Sequence, residues 1–274
     1  MKKLYRFSAI ALLVLPLVFT SCSDYLDRDD DDNITEADVF ARYAKKADRP
    51  LVFFEHFSNS AITDECEGTN VEGNITNNFN NGAWNPNSLP GSVGQYWEAL
   101  YEGIRKANLI IENVQKYNTP DNPQQDGDLR NRIGEMYFMR GYFHMLLLRM
   151  YGEAPYIDRV INAGDNMDFK KESVHSMVEK IVTDAQTAYG MVPNKYVKTS
   201  ENFGRVDKGA CLGLISFVRW VAATPLWNGA SQYGYNLRRV FENEYAYDAT
   251  RWRKAKEAAK AVLDFEVGGT KRYS

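Results

Sequence analysis

The stretch "GEMYFMRGYFHMLLLRMYGEAPYI", residues 134–157, decides the fold. Between Met136 and Tyr151 it is apolar on nearly every side, and only two arginines, a glycine and a histidine interrupt it. A helix that is apolar all round is buried among its neighbours, so this stretch predicts a central helix packed on several faces. Gly152 and Pro155 follow directly and are expected to end that helix.

Helical periodicity also surrounds this central stretch. Apolar residues recur at steps of three and four in four further segments: 97–115, 174–189, 208–224 and 252–265. A short helix is also expected at 34–44. Ser173 and Asp207 stand where helix N-caps are expected, and the last helix should be capped near Thr250. No convincing series of strands is present. The chain is therefore expected to be all-α, built from antiparallel helix pairs with long irregular loops.

Several polar or small residues fall on faces that should be buried. Asn108 shares the apolar face of segment 97–115 and is expected to hydrogen-bond a neighbouring backbone. Gly141 would let a neighbouring helix approach closely, and His144 is expected to be a hydrogen-bonded core residue. Cys211 lies in an apolar helical run and should act as a small buried hydrophobe.

The N-terminus has the layout of a secretory signal that ends at a cysteine. Three basic residues precede an apolar run at 7–19, and two small residues stand directly before Cys22. The run is too short for a stable transmembrane helix. The arrangement resembles a bacterial lipobox, which makes residues 1–21 a lipoprotein signal peptide and Cys22 a lipid-bearing anchor. The alternative is a plain signal peptide with an incidental cysteine.

The acidic segment after the cysteine, residues 22–34, predicts a solvated tether. Clustered aspartates in "SDYLDRDDDDN" repel one another and bury no apolar area. A calcium loop is excluded because Asp32 stands where such a loop needs glycine, and the closing glutamate is absent. The whole chain carries a formal charge of −3. It therefore has no basic field of the kind that binds nucleic acid.

The sequence carries no recognisable catalytic or metal-binding motif. The three histidines, at positions 56, 144 and 175, are widely separated and have no partner at metal-ligand spacing. No nucleophile elbow, phosphate-binding loop or dinucleotide fingerprint is present. We therefore expect no catalysis, no cofactor and no metal. A glycosidase stays open as an alternative, because it needs only two carboxylates facing one cleft.

Six blocks of the chain, taken in order, match one known family. They are "SCSDYLD" (21–27), "WEALYEGIRKAN" (97–108), the stretch 134–157 with its Tyr-Gly-acid-x-Pro ending, "ESVHSMVEKIVTDAQTAYGMVP" (172–193), "GRVDKGACLGLISFVRWVAATP" (204–225) and "RWRKAKEAAKAVLDF" (251–265). Together they resemble the SusD/RagB family, nutrient-binding outer-membrane lipoproteins of Bacteroidetes. Members are considerably longer, so the resemblance makes residues 35–274 an incomplete SusD-like helical domain. A natural short form is the alternative.

The resemblance implies a tetratricopeptide-like helical scaffold whose irregular loops present a ligand surface. It also implies capture of a glycan, or in a minority of members a peptide, and delivery to a SusC-like TonB-dependent transporter. Acidic residues after the lipid-bearing cysteine resemble a surface-export signal, which places the protein on the outer face of the outer membrane. The alternative is a truncated helical-repeat protein that contacts only the transporter.

The candidate ligand surface is the loop "GNITNNFNNGAWNPNSLPG", residues 73–91, which holds seven asparagines. A sugar is bound by a flat apolar ring against its C–H face and by planar amides that span its hydroxyls. The candidates are therefore Trp84, Asn80, Asn81 and Asn85, with Asp64, Glu65 and Tyr96 as weaker companions. The alternative is that asparagine suits turns and the tryptophan anchors the loop. Trp227 is a second aromatic candidate, with packing as its alternative.

Overall fold

A computed structural model of the chain describes residues 79–83, 85, 91–117, 126–196, 199, 202–229 and 242–273. Five α-helices dominate this part: α1 (Gly91–Tyr117), α2 (Asp126–Tyr151), α3 (Val174–Met191), α4 (Lys208–Ala223) and α5 (Ala249–Leu263). A 3-10 helix spans Glu242–Tyr245, and strands β1 (Glu266–Val267) and β2 (Thr270–Lys271) form a small antiparallel hairpin. The all-α prediction is confirmed. The predicted helix at 34–44 and the acidic tether lie outside the described residues.

Each helix packs on the helix before it, and α4 also touches α2. The contacts are antiparallel: the end of α2 meets the start of α1, where the Tyr151 hydroxyl donates to the Val93 carbonyl at 2.6 Å. Met191 at the end of α3 lies in the same way against Gly134 near the start of α2. The described chain is therefore a row of antiparallel helix pairs, as the sequence predicts.

The central position of α2 is confirmed. Its side chains Met136, Phe143 and Leu147 are fully buried between α1 and α3. The helix ends at Gly152, whose φ of +71° is in the left-handed region and whose N–H donates to the Leu148 carbonyl at 3.0 Å. A Cβ at Gly152 would lie 2.9 Å from the Trp227 ring, so both the turn and the packing require glycine there.

The closest helix approaches occur at glycines other than the predicted one. A Cβ at Gly141 would lie 3.4 Å from the Asp184 Cβ, close to an ordinary contact distance. A Cβ at Gly103 would come within 2.7 Å of the Phe143 ring, and one at Gly134 within 2.7 Å of the Met191 Cβ. The tight contacts of α2 with α1 and α3 therefore depend on these two glycines.

The predicted N-caps are present, with one shift. Ser173 accepts a hydrogen bond from the Ser176 N–H, and Asp207 accepts one from the Ala210 N–H. The cap of α5 is Asp248, two residues before the predicted position. Its carboxylate accepts from both the N–H and the hydroxyl of Thr250, each at 2.8 Å. Aspartate therefore satisfies the open backbone at this helix start.

Helix α5 departs most from its predicted pattern. Trp252, placed by periodicity on the buried stripe, is 43% exposed. Ala255 is the one buried residue of the helix. Beyond α5 the hairpin carries Arg272 back to α4, where its guanidinium binds the Asp207 carboxylate at 2.7 Å and the Asn194 carbonyl at 3.1 Å. The hairpin therefore fastens the end of α5 to the start of α4.

None of the helices in the described ranges is long and apolar enough to cross a membrane.

Candidate functional site

The described part of the asparagine-rich loop forms a turn at the surface. The Gly82 N–H donates to the Phe79 carbonyl at 2.9 Å, and Gly82 has a φ of +70°. The Asn85 amide donates to the Ala83 carbonyl at 3.4 Å. The predicted ligand residues that the structure describes in this segment are exposed: Asn80, Asn81 and Asn85. The turn therefore holds planar amide groups at the protein surface, where hydroxyls can reach them.

Of the other predicted ligand residues, the structure describes Tyr96 alone. Trp84, Asp64 and Glu65 lie outside the described residues, so their role stays a prediction. Tyr96 is only 8% exposed, and its ring centre lies 6.4 Å from that of Tyr151. Burial raises the pKa of Tyr96 to about 12. Tyr96 therefore belongs to the α1–α2 contact, and its role as a ligand residue also stays a prediction.

The Tyr-Gly-acid-x-Pro segment at the end of α2 is hydrogen-bonded to α1 and to the 3-10 helix. Tyr151 is bonded to α1 as described above, and burial raises the pKa of its hydroxyl to about 12. The Tyr101 hydroxyl donates to the Pro155 carbonyl at 2.7 Å. Glu153 accepts a hydrogen bond at 2.9 Å from the tyrosine that ends the 3-10 helix. The motif therefore fixes where the long α2–α3 loop starts.

A buried ion pair joins α2 to α3. Two guanidinium nitrogens of Arg140, Nη2 and Nε, bind the Asp184 carboxylate at 2.5 and 2.8 Å, and both side chains are less than a tenth exposed. Arg140 Nη1 also donates to Asn108 Oδ1 at 2.9 Å and to the Asp158 carbonyl at 3.0 Å. The Tyr156 hydroxyl donates to Asp184 at 2.6 Å. Both charges are thereby paired and hydrogen-bonded, which buried charges require.

His144 is a hydrogen-bonded core residue, as predicted. The Ile157 N–H donates to His144 Nε2 at 3.1 Å, so Nδ1 carries the proton and donates to the Arg140 carbonyl at 2.9 Å. Burial lowers the pKa of His144 to about 3, so the ring is neutral at pH 7. Asn108 is likewise confirmed as bonded to backbone, donating to the Ile157 carbonyl at 3.2 Å. Together these bonds hold the loop after α2 against the helices.

Two histidines, the buried His144 and the half-buried His175, should make the fold less stable as the pH falls. His144 has a folded-state pKa of about 3 and His175 one of about 4, both lowered by burial, against about 6.5 when unfolded. As the pH falls, the unfolded chain binds protons first. This stability is therefore complete above pH 6.5 and is lost progressively below it, down to about pH 4 for His175 and about pH 3 for His144. His144 alone should remove about 1.4 kcal/mol per pH unit.

Urea unfolding at pH 7, 6 and 5 measures this effect, in a range where most carboxylates are still ionised. His144→Gln should show a shallower decline between pH 6.5 and 5 than the wild-type chain. A free energy of unfolding that stays constant over this range would contradict the assignment of histidines that stay neutral in the folded chain.

A charged cavity of about 210 Å³ lies between α3, α4 and the start of α5. In it Glu179 binds Arg219 at 2.5 and 2.7 Å and Lys254 at 2.9 Å. The Arg219 hydrogen bonds hold the pKa of Glu179 at about 2, and those from Thr250 lower the pKa of Asp248. A glycosidase needs one carboxyl with a raised pKa as its acid. These two carboxylates do not form such an acid–base pair.

The remaining candidates from the sequence are structural. Cys211 is a free thiol in the core, and burial raises its pKa to about 12. Trp227 packs against Tyr245 with ring centres 5.3 Å apart, which confirms its packing interpretation. In the part of the chain that the structure describes, no cluster of histidine, cysteine or carboxylate side chains could hold a metal ion.

Known proteins resemble this chain in sequence and in fold. SusD-like protein P2 of Formosa agariphila is 28% identical over 129 residues, which is 47% of this chain and 24% of that protein. A laminarin-binding SusD-like protein has a TM-score of 0.53 at 19% identity, covering 87% of this chain and 45% of its own. A SusD homologue from Bacteroides thetaiotaomicron has a TM-score of 0.51 at 24% identity, and the match covers 67% of this chain and 32% of the homologue.

These relatives bear on the fold and on the length of the chain. The structural likenesses confirm the predicted tetratricopeptide-like arrangement of antiparallel helix pairs. The chain spans about a quarter of the curated relative and less than half of these solved structures. The model of the family SusD-like_3, described as "Starch-binding associating with outer membrane", matches residues 24–218, or 195 of the 274 residues. The chain belongs to the SusD-like family.

Proposed function

We propose that this chain is a cell-surface lipoprotein that captures a glycan and delivers it to a SusC-like TonB-dependent transporter in the outer membrane. The observation that carries the proposal is the family match over residues 24–218, whose description names starch binding and the outer membrane. The fold it shares with a laminarin-binding protein agrees with this function. Because the chain spans only part of its relatives, both the ligand and the transporter are proposals.

The proposed ligand surface is the asparagine-rich turn with Trp84. The exposure of Asn80, Asn81 and Asn85 supports it, because amide groups at a surface turn can each donate to and accept from a sugar hydroxyl. The tryptophan would supply the flat ring that stacks on the sugar. Lipid on Cys22 and the acidic tether would hold this surface outside the membrane.

The test is a glycan-binding panel that includes starch and laminarin oligosaccharides. Purified residues 23–274 should bind at least one of these glycans, as measured by calorimetry. Trp84→Ala should weaken that binding by about tenfold or more, because stacked aromatic side chains dominate such contacts. Trp252→Ala, at an exposed tryptophan of α5, is the matched control and should leave the affinity unchanged.

The other outcomes distinguish the alternatives. Binding of a peptide library but of no glycan would change the ligand class and keep the receptor role. Release of shorter sugars would mean a glycosidase. No ligand binding, together with co-purification of the transporter, would leave a helical-repeat protein that contacts only its partner.

A further inference from the structure

A groove of about 450 Å³ runs between α4 and α5. Its lining is mainly apolar: Gly213, Ser216, Phe217 and Trp220 from α4, and Ala259, Val262 and Leu263 from α5. Trp220 is 52% exposed and Leu263 is 58% exposed, although both are large apolar side chains. A groove this rich in exposed apolar surface is typical of a contact site for another polypeptide.

The packing order of the helices indicates what shape fits this groove. Helix α2, which packs on α1, is in turn contacted by α3. Helix α4 packs on α3 and also touches α2. In the described ranges no helix covers the α4–α5 pair in the same way. Helix α5 also buries only Ala255, which leaves most of its surface exposed. A groove between two helices accepts the side-chain ridge of a third helix.

The charges at the edges of the groove indicate which charge a bound helix should carry. Helix α5 carries five basic residues and one acidic residue, Glu257. Lys256 makes no ion pair with the described residues, and along α5 it lies about one turn before Ala259 and two turns before Leu263. At the other edge the guanidinium of Arg149, an exposed residue of α2, lies 5.5 Å from the centre of the Phe217 ring. The carboxylate next to Leu263, that of Asp264, is paired with Lys260 and Lys271. Among the described residues, the charges without an ion pair at the two edges are therefore positive, which disfavours a second copy of the same basic helix.

We propose that the α4–α5 groove binds an amphipathic helix of another protein. The apolar face of that helix would lie on Phe217, Trp220 and Leu263, and its flanking acidic side chains would pair with Arg149 and Lys256. This is the helix-in-groove mode, in which anchors at steps of three and four enter an apolar groove. The inference is independent of glycan binding, because it uses none of the candidate ligand residues.

The test uses the mature full-length chain and two fluorescent helical peptides. Both peptides carry the same leucine face at steps of three and four, and their flanks are glutamate in one and lysine in the other. By fluorescence anisotropy the glutamate peptide should bind at least about fivefold more tightly at low salt, and added salt should narrow the difference. Trp220→Ala and Leu263→Ala should each weaken its binding, the former by about tenfold.

Trp252→Ala is the matched control, because this exposed tryptophan of α5 does not line the groove. Circular dichroism checks that each variant is folded. If the Trp220→Ala chain is not folded, the Leu263→Ala chain is the variant that tests the groove. The proposal is overturned if the glutamate peptide does not bind, or if the lysine peptide binds equally well. It is also overturned if the chain forms a dimer that Trp220→Ala abolishes, since the occupant would then be a second copy.

Discussion

Replacing Arg140 with methionine is expected to lower the free energy of unfolding by about 3–5 kcal/mol. The change leaves the Asp184 carboxylate buried, and among the described residues the Tyr156 hydroxyl is its remaining side-chain donor. It also removes the donor that Arg140 provides to Asn108. Chemical unfolding followed by circular dichroism measures the loss as a lower denaturant midpoint.

A double variant shows whether the lower free energy of unfolding comes from the unpaired buried charge or from lost packing. Arg140→Met with Asp184→Leu removes both charges, so most of the stability should return, because a buried ion pair is often no better than apolar residues of similar volume. Arg253→Met is the control, since the Arg253–Glu257 pair is 4.0 Å apart and well exposed, and it should change stability little. An Arg140→Met chain as stable as the control would contradict the assigned role of the buried pair.

Cys22→Ala is expected to move the protein from the membrane fraction to the soluble fraction. The proposed anchor is lipid attached to the thiol of this cysteine, and each buried lipid methylene contributes about 0.8 kcal/mol to membrane binding. Without the thiol no lipid can be attached. Fractionation of cells fed a labelled fatty acid measures both the location of the protein and its modification.

Cys211→Ala is the matched control for the anchor. This cysteine is a buried free thiol of α4, so its loss should leave both the label and the membrane location in place. Equal membrane binding of the Cys22→Ala chain would refute the anchor. An unlabelled wild-type chain would favour the plain signal peptide instead.

The helices were predictable because their signals are local. The continuous apolar run of α2 indicates burial on several sides, and the caps Ser173 and Asp207 act within three residues of themselves. Asn108 is bonded to backbone because it lies on the buried face of α1. Such features require only the period of one helix and the chemistry of one side chain.

The polar clusters were not predictable, because their members are distant in sequence. Arg140 and Asp184 are 44 residues apart, and Glu179 gathers partners from two other helices. Periodicity shows each residue only as an interruption of an apolar face. The hairpin, in contrast, had a readable signal: Gly268 and Gly269 between short apolar and polar runs suit a two-residue turn that needs positive φ.

The candidate ligand site was predictable in part. Asparagine and glycine indicate a turn, and the structure places Asn80, Asn81 and Asn85 at the surface. The burial of Tyr96 could also have been read from the sequence. It stands four residues before Leu100 and eight before Ile104, which puts all three on one face of α1.

The hairpin that returns Arg272 to Asp207 affects how the row of helices comes apart. Where each helix rests mainly on its chain neighbours, opening can start at an end and proceed one helix at a time. The contact between Arg272 and Asp207 links the far end of α5 to the beginning of α4. Fraying of α5 alone would have to break that link, so we expect the last two helices to open together more readily than α5 alone.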